Sequence, residues 1–404
     1  MKILFLTNLR LDKPGGLLKA SLARISRHQQ YNDCYVINNN YCDSGSIRCL
    51  KRILGRQPAD CYEEEYFAGS LKIRNVNFQK TPKFFAKNLL RMDYSILEDL
   101  IDTYIKKYRG LIAGMDIIHA HFGFPSGYIA YRLSREFKIP YFITFHGSDI
   151  NYISAKNLPL LLEAMEQAEN CFFVSRQLCR TARELTYSGS NAEITYNGVD
   201  LDLFQIPEAG KDRKEGKVVG FVGSLIKTKG ADFLPVIFAK ISDLSRAKVD
   251  FVIVGDGELR TALEHECERR KLAVRFTGYV ASEDLAGIMG NFDVLLVPSR
   301  NEGLGLVILE AYAMGIPVAG ANVGGIPEAI GFPDNLVDPG ADFEAKMAQK
   351  AVELMEQAEA PEVYRRYVEE NFDWDRTIEA ELSKYLVAGA GNGGGGGGGG
   401  RPGY

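Results

Sequence analysis

The chain opens on Ile3-Leu4-Phe5-Leu6, four apolar residues in a row, followed by a Gly15-Gly16 pair and a helical spacing of apolar positions. A short apolar run closed by a glycine turn predicts a buried strand. Strand, glycine turn and helix together form the entry unit of an α/β fold. The pattern recurs at Ile117-Ile118, Tyr141–Phe145 and Cys171–Val174, each followed by turn or helix signals. Apolar runs without alternation are covered on both faces, so these units predict a parallel sheet with helices on each side.

Residues 205–217, QIPEAGKDRKEGK, interrupt the pattern with a proline, two glycines and a charge run. They predict an exposed interdomain linker. A second series follows, with strands expected at Val218–Val222, Asp250–Val254, Val274–Phe276, Val294–Val297 and Val318-Ala319. A helix is expected to start near Lys229-Gly230 and another after Gly255-Asp256-Gly257, and Gly315 with Pro317 stops a third. This divides the chain into a first Rossmann-like domain at 1–205, a second at 206–375 and a last helix at 376–388 carrying Tyr385. The glycine-rich tail, 389–404, cannot bury a core and stands outside the fold.

With 404 residues, 46% hydrophobic and 25% charged, the chain can fill two cores without cross-links. Its seven cysteines (Cys34, Cys42, Cys49, Cys61, Cys171, Cys179 and Cys267) show no C-x-x-C spacing, which predicts reduced thiols in a cytosolic protein. The N-terminal apolar run is too short for a signal peptide, and no run approaches the ~18 residues of a membrane span. The expected location is cytoplasmic, with at most a peripheral contact at the inner face of a membrane.

The net charge of −4 hides an asymmetry: residues 1–200 hold 26 basic against 20 acidic side chains, and the remainder 22 against 32. Basic residues cluster at Arg48, Lys51, Arg52 and Arg56, and again at Lys80, Lys83, Lys87 and Arg91 among Phe84, Phe85, Leu89 and Leu90. The second cluster suits an amphipathic helix lying on anionic lipid. The acidic second half argues against a nucleic-acid partner.

The densest chemistry lies in Pro298–Pro317, PSRNEGLGLVILEAYAMGIP. A strand ends at Pro298, Glu302 follows, then Gly303-Leu304-Gly305, then a helix carrying Glu310. A helix N-terminus offers free N–H groups and partial positive charge, so a diphosphate fits there, and glycines let the backbone approach it. Two carboxylates so placed can accept hydrogen bonds from hydroxyls of a transferred sugar and of a ribose.

These residues resemble the retaining glycosyltransferases of family 4, whose E-x7-E motif matches Glu302 and Glu310. Further features fall in order: Gly15-Gly16, HAHFG with His121, TFHGSDI with His146, YNGVDLDLF, GSLIKTKG with Lys229, VGDGELR, FTGYV around Val280, and VGGIPE with Glu328. The resemblance covers roughly residues 1–385. HAHFG and FHGSDI resemble members that build bacterial surface polysaccharides.

The resemblance implies a GT-B fold: two Rossmann-like α/β domains with parallel sheets facing a central cleft, the last helix returning to the first domain. It implies a nucleotide-sugar donor, UDP before GDP, and a carbohydrate or sugar-lipid acceptor. Gly16 would pass close to donor phosphate, and Lys229 would neutralise the leaving diphosphate. Glu302 would hold the donor sugar with Gly303, Leu304 and Gly305, Glu310 the ribose, and the backbone at Val280 the base. His146 would line the cleft near the reacting sugar, with Gly15, His121 and Asp149 on the acceptor side.

One position departs from the family. Ser224 stands where an arginine is usual, which leaves Lys229, with Lys227 nearby, to supply positive charge. Asp200-Leu-Asp202 and Asp373-Trp-Asp375 match D-x-D, but lie in a turn and near the last helix, and no metal is expected. No cofactor is expected either, since the nucleotide-sugar is a co-substrate. The alternatives are an epimerase or phosphorylase on the same architecture, and a non-catalytic paralogue that binds nucleotide-sugars or scaffolds an assembly.

Overall fold

The computed structural model describes residues 1–11, 15–82, 93–207 and 216–392, with 93–96 and 390–392 described by backbone only. The chain divides into two compact units. The first takes Met1–Phe173, Cys179–Thr195 and the chain from Ile378; the second takes Val174–Leu178 and Tyr196–Thr377. The sequence boundary was drawn at 205, whereas Tyr196–Phe204 fall in the second unit.

The first unit holds β1 (Lys2–Thr7), β2 (Asp33–Asp43), β3 (Glu65–Ala68), β4 (Leu71–Lys80), β5 (Ile117–His121), β6 (Tyr141–Phe145), β7 (Asn170–Phe173) and β8 (Ala192–Ile194). Their order is β3-β4-β2-β1-β5-β6-β7-β8. The described pairs are parallel except β3 on β4, an antiparallel edge strand that the reading of a parallel sheet did not include. The second unit holds β9 (Lys217–Val222), β10 (Val249–Val254), β11 (Val274–Gly278), β12 (Val294–Val297), β13 (Val318–Ala321) and β14 (Leu336–Val337). They are all parallel in the order β11-β10-β9-β12-β13-β14.

Both sheets reverse their winding beside the first strand of the unit: between β1 and β5, and between β9 and β12. At such a switch point the loops leaving the two neighbouring strands diverge to opposite faces and leave a crevice at the carboxyl edge, where open α/β sheets bind ligands. The loops after β9 and β12 carry Lys229 and Glu302, and His121 closes β5.

One face of the first sheet is covered by helix Gly16–His28 and by the last helix, Trp374–Asn392, which belongs to this unit from Ile378 onward. Ile3, Phe5, Ile25, Val36, Ile73, Phe142, Phe172 and Tyr385 form its apolar core. A buried polar column runs through that core. Glu381 lies 3.1 Å from Arg24 and 2.7 Å from His28, all three side chains being fully buried. Arg24 also donates to Thr195 O at 2.8 Å. Burial alone would raise the Glu381 carboxyl, but the Arg24 guanidinium and the His28 hydrogen bond hold it at about 2. Glu381→Ala strands Arg24 in the core, and removing one partner of a buried pair costs about 3–5 kcal/mol. A drop of that size in urea-unfolding stability is expected, and an unchanged midpoint would refute the linking role.

The expectation that all seven thiols are free fails at one pair: Cys42 and Cys61 are joined by a disulfide across a separation of 19 residues. Asp43, next to Cys42, accepts from Ala59 N at 2.7 Å and pairs with Lys51, bringing the two segments together. Cysteine spacing alone could not reveal this, because the partners meet only once β2 has formed. Cys34, Cys49, Cys171, Cys179 and Cys267 are free.

In the first basic cluster, Lys51 is paired with Asp43 and Arg48 with Asp60. Lys83, Phe84, Phe85, Lys87, Leu89, Leu90 and Arg91 of the second lie outside the described residues, as do most of the expected linker and the tail from 393. No helix among the described residues is long and apolar enough to cross a membrane.

Candidate active site

In the second unit the side chains converge at the β9/β12 switch point. Lys229 ends a single 3-10 turn, Lys227–Lys229, after β9. Its Nζ lies 2.6 Å from Glu302 Oε1, and Ser299 Oγ donates to the same oxygen at 3.2 Å. The Glu302 side chain is 11% exposed and that of Lys229 32%, so the ion pair sits at the rim and not in the core.

The loops bearing them are welded by close backbone approach. Gly230, at φ +67°, lies so near β12 that a Cβ would stand 1.9 Å from Pro298 O. Arg300 N donates to Thr228 O at 2.8 Å. On the other side, Gly325 N donates to Glu302 O at 3.0 Å, and a Cβ on Gly325 would meet Gly303 O at 2.1 Å. Only glycine permits this stacking, which fixes the height of Glu302. Gly324-Gly325 and Ser299 were not singled out from the sequence, yet they set its position.

Helix Leu306–Ala313 follows from Gly305, which adopts φ +91° and gives no side-chain cap. The N–H groups of its first turn and its dipole are thus offered to an anion. Leu304 is buried and anchors the loop, while Gly303 and Glu310, the latter on the helix eight residues beyond Glu302, are half-buried. Ser224 is exposed after β9, and Val280 is half-buried after β11. Arg300 does not replace the missing arginine charge. It is held by both oxygens of Asp232 at 2.6 and 2.9 Å and lies 3.8 Å over the Phe233 ring. Glu328 accepts from Arg176 N and Gln177 N, each at 2.7 Å, and from Tyr196 Oη at 3.0 Å.

In the first unit, Gly15 precedes helix Gly16–His28 in extended conformation (φ −165°). Gly16 has ordinary φ, and among the described residues no atom lies within 4 Å of where its Cβ would be. Neither strain nor crowding in this structure requires glycine there, in contrast to Gly230 and Gly325.

His121 and His146 form a buried pair, Nδ1 to Nε2 3.3 Å, and His121 Nε2 and His146 Nδ1 have no hydrogen-bond partner among the described residues. Burial, followed by neighbouring His119 and His146, pushes the His121 imidazole well below its ordinary value. Burial and then Arg24 bring His146 to about 3. His119, two residues before His121 on the same face of β5, hydrogen-bonds Thr144 Oγ1 at 2.8 Å and the Tyr385 hydroxyl; burial brings it to about 3.

Asp149 turns its carboxylate onto the backbone. It accepts from Gly123 N at 3.0 Å, Gly147 N at 2.9 Å and His146 N at 3.2 Å. It holds the loops after β5 and β6 together through these three backbone N–H groups. The loop after β5 begins at Phe122, a non-glycine residue at φ +80°, whose ring packs 5.0 Å from His146. A left-handed bulky residue stores strain, of the kind that surrounding structure must hold at functional positions.

The D-x-D pairs are local caps. Asp200 Oδ1 accepts from Asp202 N and Leu203 N, and Asp373 Oδ1 from Asp375 N. Among the described residues no group of three His, Cys, Asp or Glu is arranged to hold a metal ion.

In both units the chain resembles known glycosyltransferases. Residues 216–357 match the family described as Glycosyl transferases group 1, and residues 54–203 match Glycosyltransferase Family 4. A glycosyltransferase of uncharacterised activity from Methanocaldococcus jannaschii is 28% identical over 281 residues, 67% of this chain and 71% of the relative. TuaC of Bacillus subtilis, a glycosyltransferase assigned to teichuronic acid biosynthesis, is 29% identical over 278 residues, 66% of this chain and 67% of the relative. The Anabaena protein HepE, solved in complex with UDP, superposes with a TM-score of 0.70 at 20% identity, covering 96% of this chain and 100% of HepE. With family matches in both units and this two-sheet architecture, the chain belongs to glycosyltransferase family 4 and has the GT-B fold.

Proposed function

We propose that the protein transfers a sugar from a UDP-sugar to a carbohydrate or lipid-linked sugar acceptor, with retention of anomeric configuration and without a metal ion, in the assembly of a bacterial surface polysaccharide. The observation that carries this reading is the Lys229–Glu302 pair at the β9/β12 switch point, beside an uncapped helix start. A cation, a carboxylate and free helix N–H groups suit a sugar diphosphate. Lys229 and the first turn of helix Leu306–Ala313 take the phosphates, Glu302 a hydroxyl of the sugar, and Glu310 the ribose. The backbone at Val280 takes the base.

Gly16 supports the same reading. The fold does not require glycine there, so a ligand that approaches its backbone accounts for it. His146, held neutral, offers Nδ1 for a hydrogen bond to the reacting sugar, while His121 orients it and Asp149 positions both loops. No side-chain carboxylate is offered as a nucleophile; the leaving phosphate takes the acceptor proton as the new bond forms on the same face. The protein contributes positioning and charge. Polysaccharide assembly and the UDP donor are supported by TuaC and by the HepE complex, respectively.

A second reading, a nucleotide-sugar-binding protein without turnover, is favoured by exposed Ser224 in place of arginine together with the commitment of Arg300 to Asp232. The deciding measurement is nucleoside-diphosphate release from UDP- and GDP-sugars, with chelator present and no acceptor. Slow release from one donor, lost in Glu302→Ala, is the expected result. Binding of a donor with no release from any would establish the second reading, and inverted product would refute retention.

A further inference from the structure

Strand β2 carries three consecutive asparagines, Asn38-Asn39-Asn40, all buried, in the interior of the first sheet. Asparagine is disfavoured in strands, and a buried amide must be fully hydrogen-bonded to be tolerated. Asn38 meets that demand in an unusual way. Its Oδ1 accepts from Leu9 N at 2.6 Å and Thr7 Oγ1 at 2.8 Å, and its Nδ2 donates to Leu9 O at 3.2 Å and Asn75 Oδ1 at 3.1 Å. All four bonding positions of the amide are filled. Two of them answer both backbone groups of Leu9, as a neighbouring strand would.

Asn39 points to the opposite face of the sheet, as alternation requires. Its Oδ1 accepts from Tyr104 Oη at 2.6 Å, and its Nδ2 donates to Ser126 Oγ at 3.3 Å. Ser126 Oγ in turn donates to Asn8 Oδ1 at 2.7 Å. Asn8 and Leu9 are the first two residues to leave β1 without helping to form the sheet, and Ser126 follows β5. The two asparagines therefore grip the β1 exit from both faces and tie it to the β5 exit, across the switch point of the first unit.

We infer that Asn38 and Asn39 are positioning residues for glycosyl transfer, setting the direction in which the chain leaves β1 ahead of Gly16. This rests on the reading that the β1 exit serves the donor. Asn40 supplies an internal control. It has the same chemistry one residue on, yet among the described residues its side chain bonds Asn77 Oδ1 at 2.9 Å and Asp60 O at 3.0 Å, away from that exit.

The test compares Asn38→Ala, Asn39→Ala and Asn40→Ala in the full chain. It uses donor KM and kcat from diphosphate release, and hydrogen exchange in the peptide containing Leu9. Asn38→Ala and Asn39→Ala are expected to raise donor KM about tenfold or more, and Asn38→Ala to speed Leu9 exchange; Asn40→Ala should do neither. Equal effects of all three variants on KM would reduce the tract to a structural role and overturn the inference. So would faster Leu9 exchange with unchanged KM. If the wild type releases no diphosphate, the donor reading falls by itself; KM is then replaced by the Kd of UDP and GDP. A Kd that Asn38→Ala leaves unchanged, or failure of wild type to bind either, overturns the positioning role.

Discussion

Lys229→Ala is expected to lower kcat by about 10²–10³ while changing donor KM less than tenfold, read from diphosphate release at saturating donor. The bond to the anomeric carbon breaks as negative charge builds on the leaving diphosphate, so a fixed cation there binds the transition state more tightly than the ground state. Removing one preorganised group at such a position costs on the order of 3–4 kcal/mol. With Ser224 exposed and uncharged and Arg300 engaged by Asp232, Lys227, exposed in the same turn, is the candidate left to share the load. Lys229 also faces Glu302 at 2.6 Å, so the alanine variant leaves a carboxylate alone at the rim. Comparing Lys229→Ala, Glu302→Ala and the double variant separates the two effects, since residues acting as a pair give non-additive losses. Full turnover in Lys229→Ala would remove lysine from the chemistry.

The second large effect is on stability. His119, His121 and His146 are buried and neutral, with His119 and His146 brought to about 3 and His121 held well below its ordinary value, all chiefly by burial. In the unfolded chain each takes up a proton near pH 6.5. Their folded values are depressed, so the stability associated with them is complete above about pH 6.5 and is lost as pH falls toward 3. The loss amounts to about 4 kcal/mol per pH unit for the three together. A fold with about 5–10 kcal/mol, the lower part of the usual range, then fails between roughly pH 5 and 4. Urea midpoints at pH 7.5, 6.0 and 5.0 should fall steeply, and His119→Gln should flatten the slope by about a third. A midpoint that does not move across this range would mean that these rings are protonated in the folded protein. Glu381 adds a loss of the same sign at lower pH, between its ordinary carboxylate value and about 2.

The parts legible in the sequence were those whose signal is local. β1 and β12 are built on continuous apolar runs, β6 and β10 on runs with a single polar residue, Thr144 or Asp250, and each strand lies where the run lies. Glu302, Gly305 and Glu310 are arranged along a single loop and helix, so one stretch of sequence carries their geometry. β2 escaped because its polar tract, Asn38–Asn40, looks like a turn until partners on β4 and beyond β1 satisfy it. β3 escaped as a short edge strand following a run of glutamates. His119 and Glu381 are 262 positions apart, and nothing local reveals that both belong to one buried column. Asp149 was legible as a notable residue but not in what it does, because its partners are backbone N–H groups of two separate loops. The disulfide between Cys42 and Cys61 likewise depends on β2 having formed.

The last helix has a consequence for how the protein is made. Glu381 and Tyr385 complete the core that Ile3 and Phe5 enter, so strands made early on the ribosome wait for a helix made far later. Until then Arg24, His28 and His119 have no Glu381 or Tyr385 to meet. The second unit, Tyr196–Thr377 with Val174–Leu178, has all its residues ahead of Ile378 and does not wait for that stretch. Until that stretch is made, the first unit leaves bare the face of its sheet that the last helix covers. A premature stop shortly before residue 378 would release a chain with one sound unit and one that never closes.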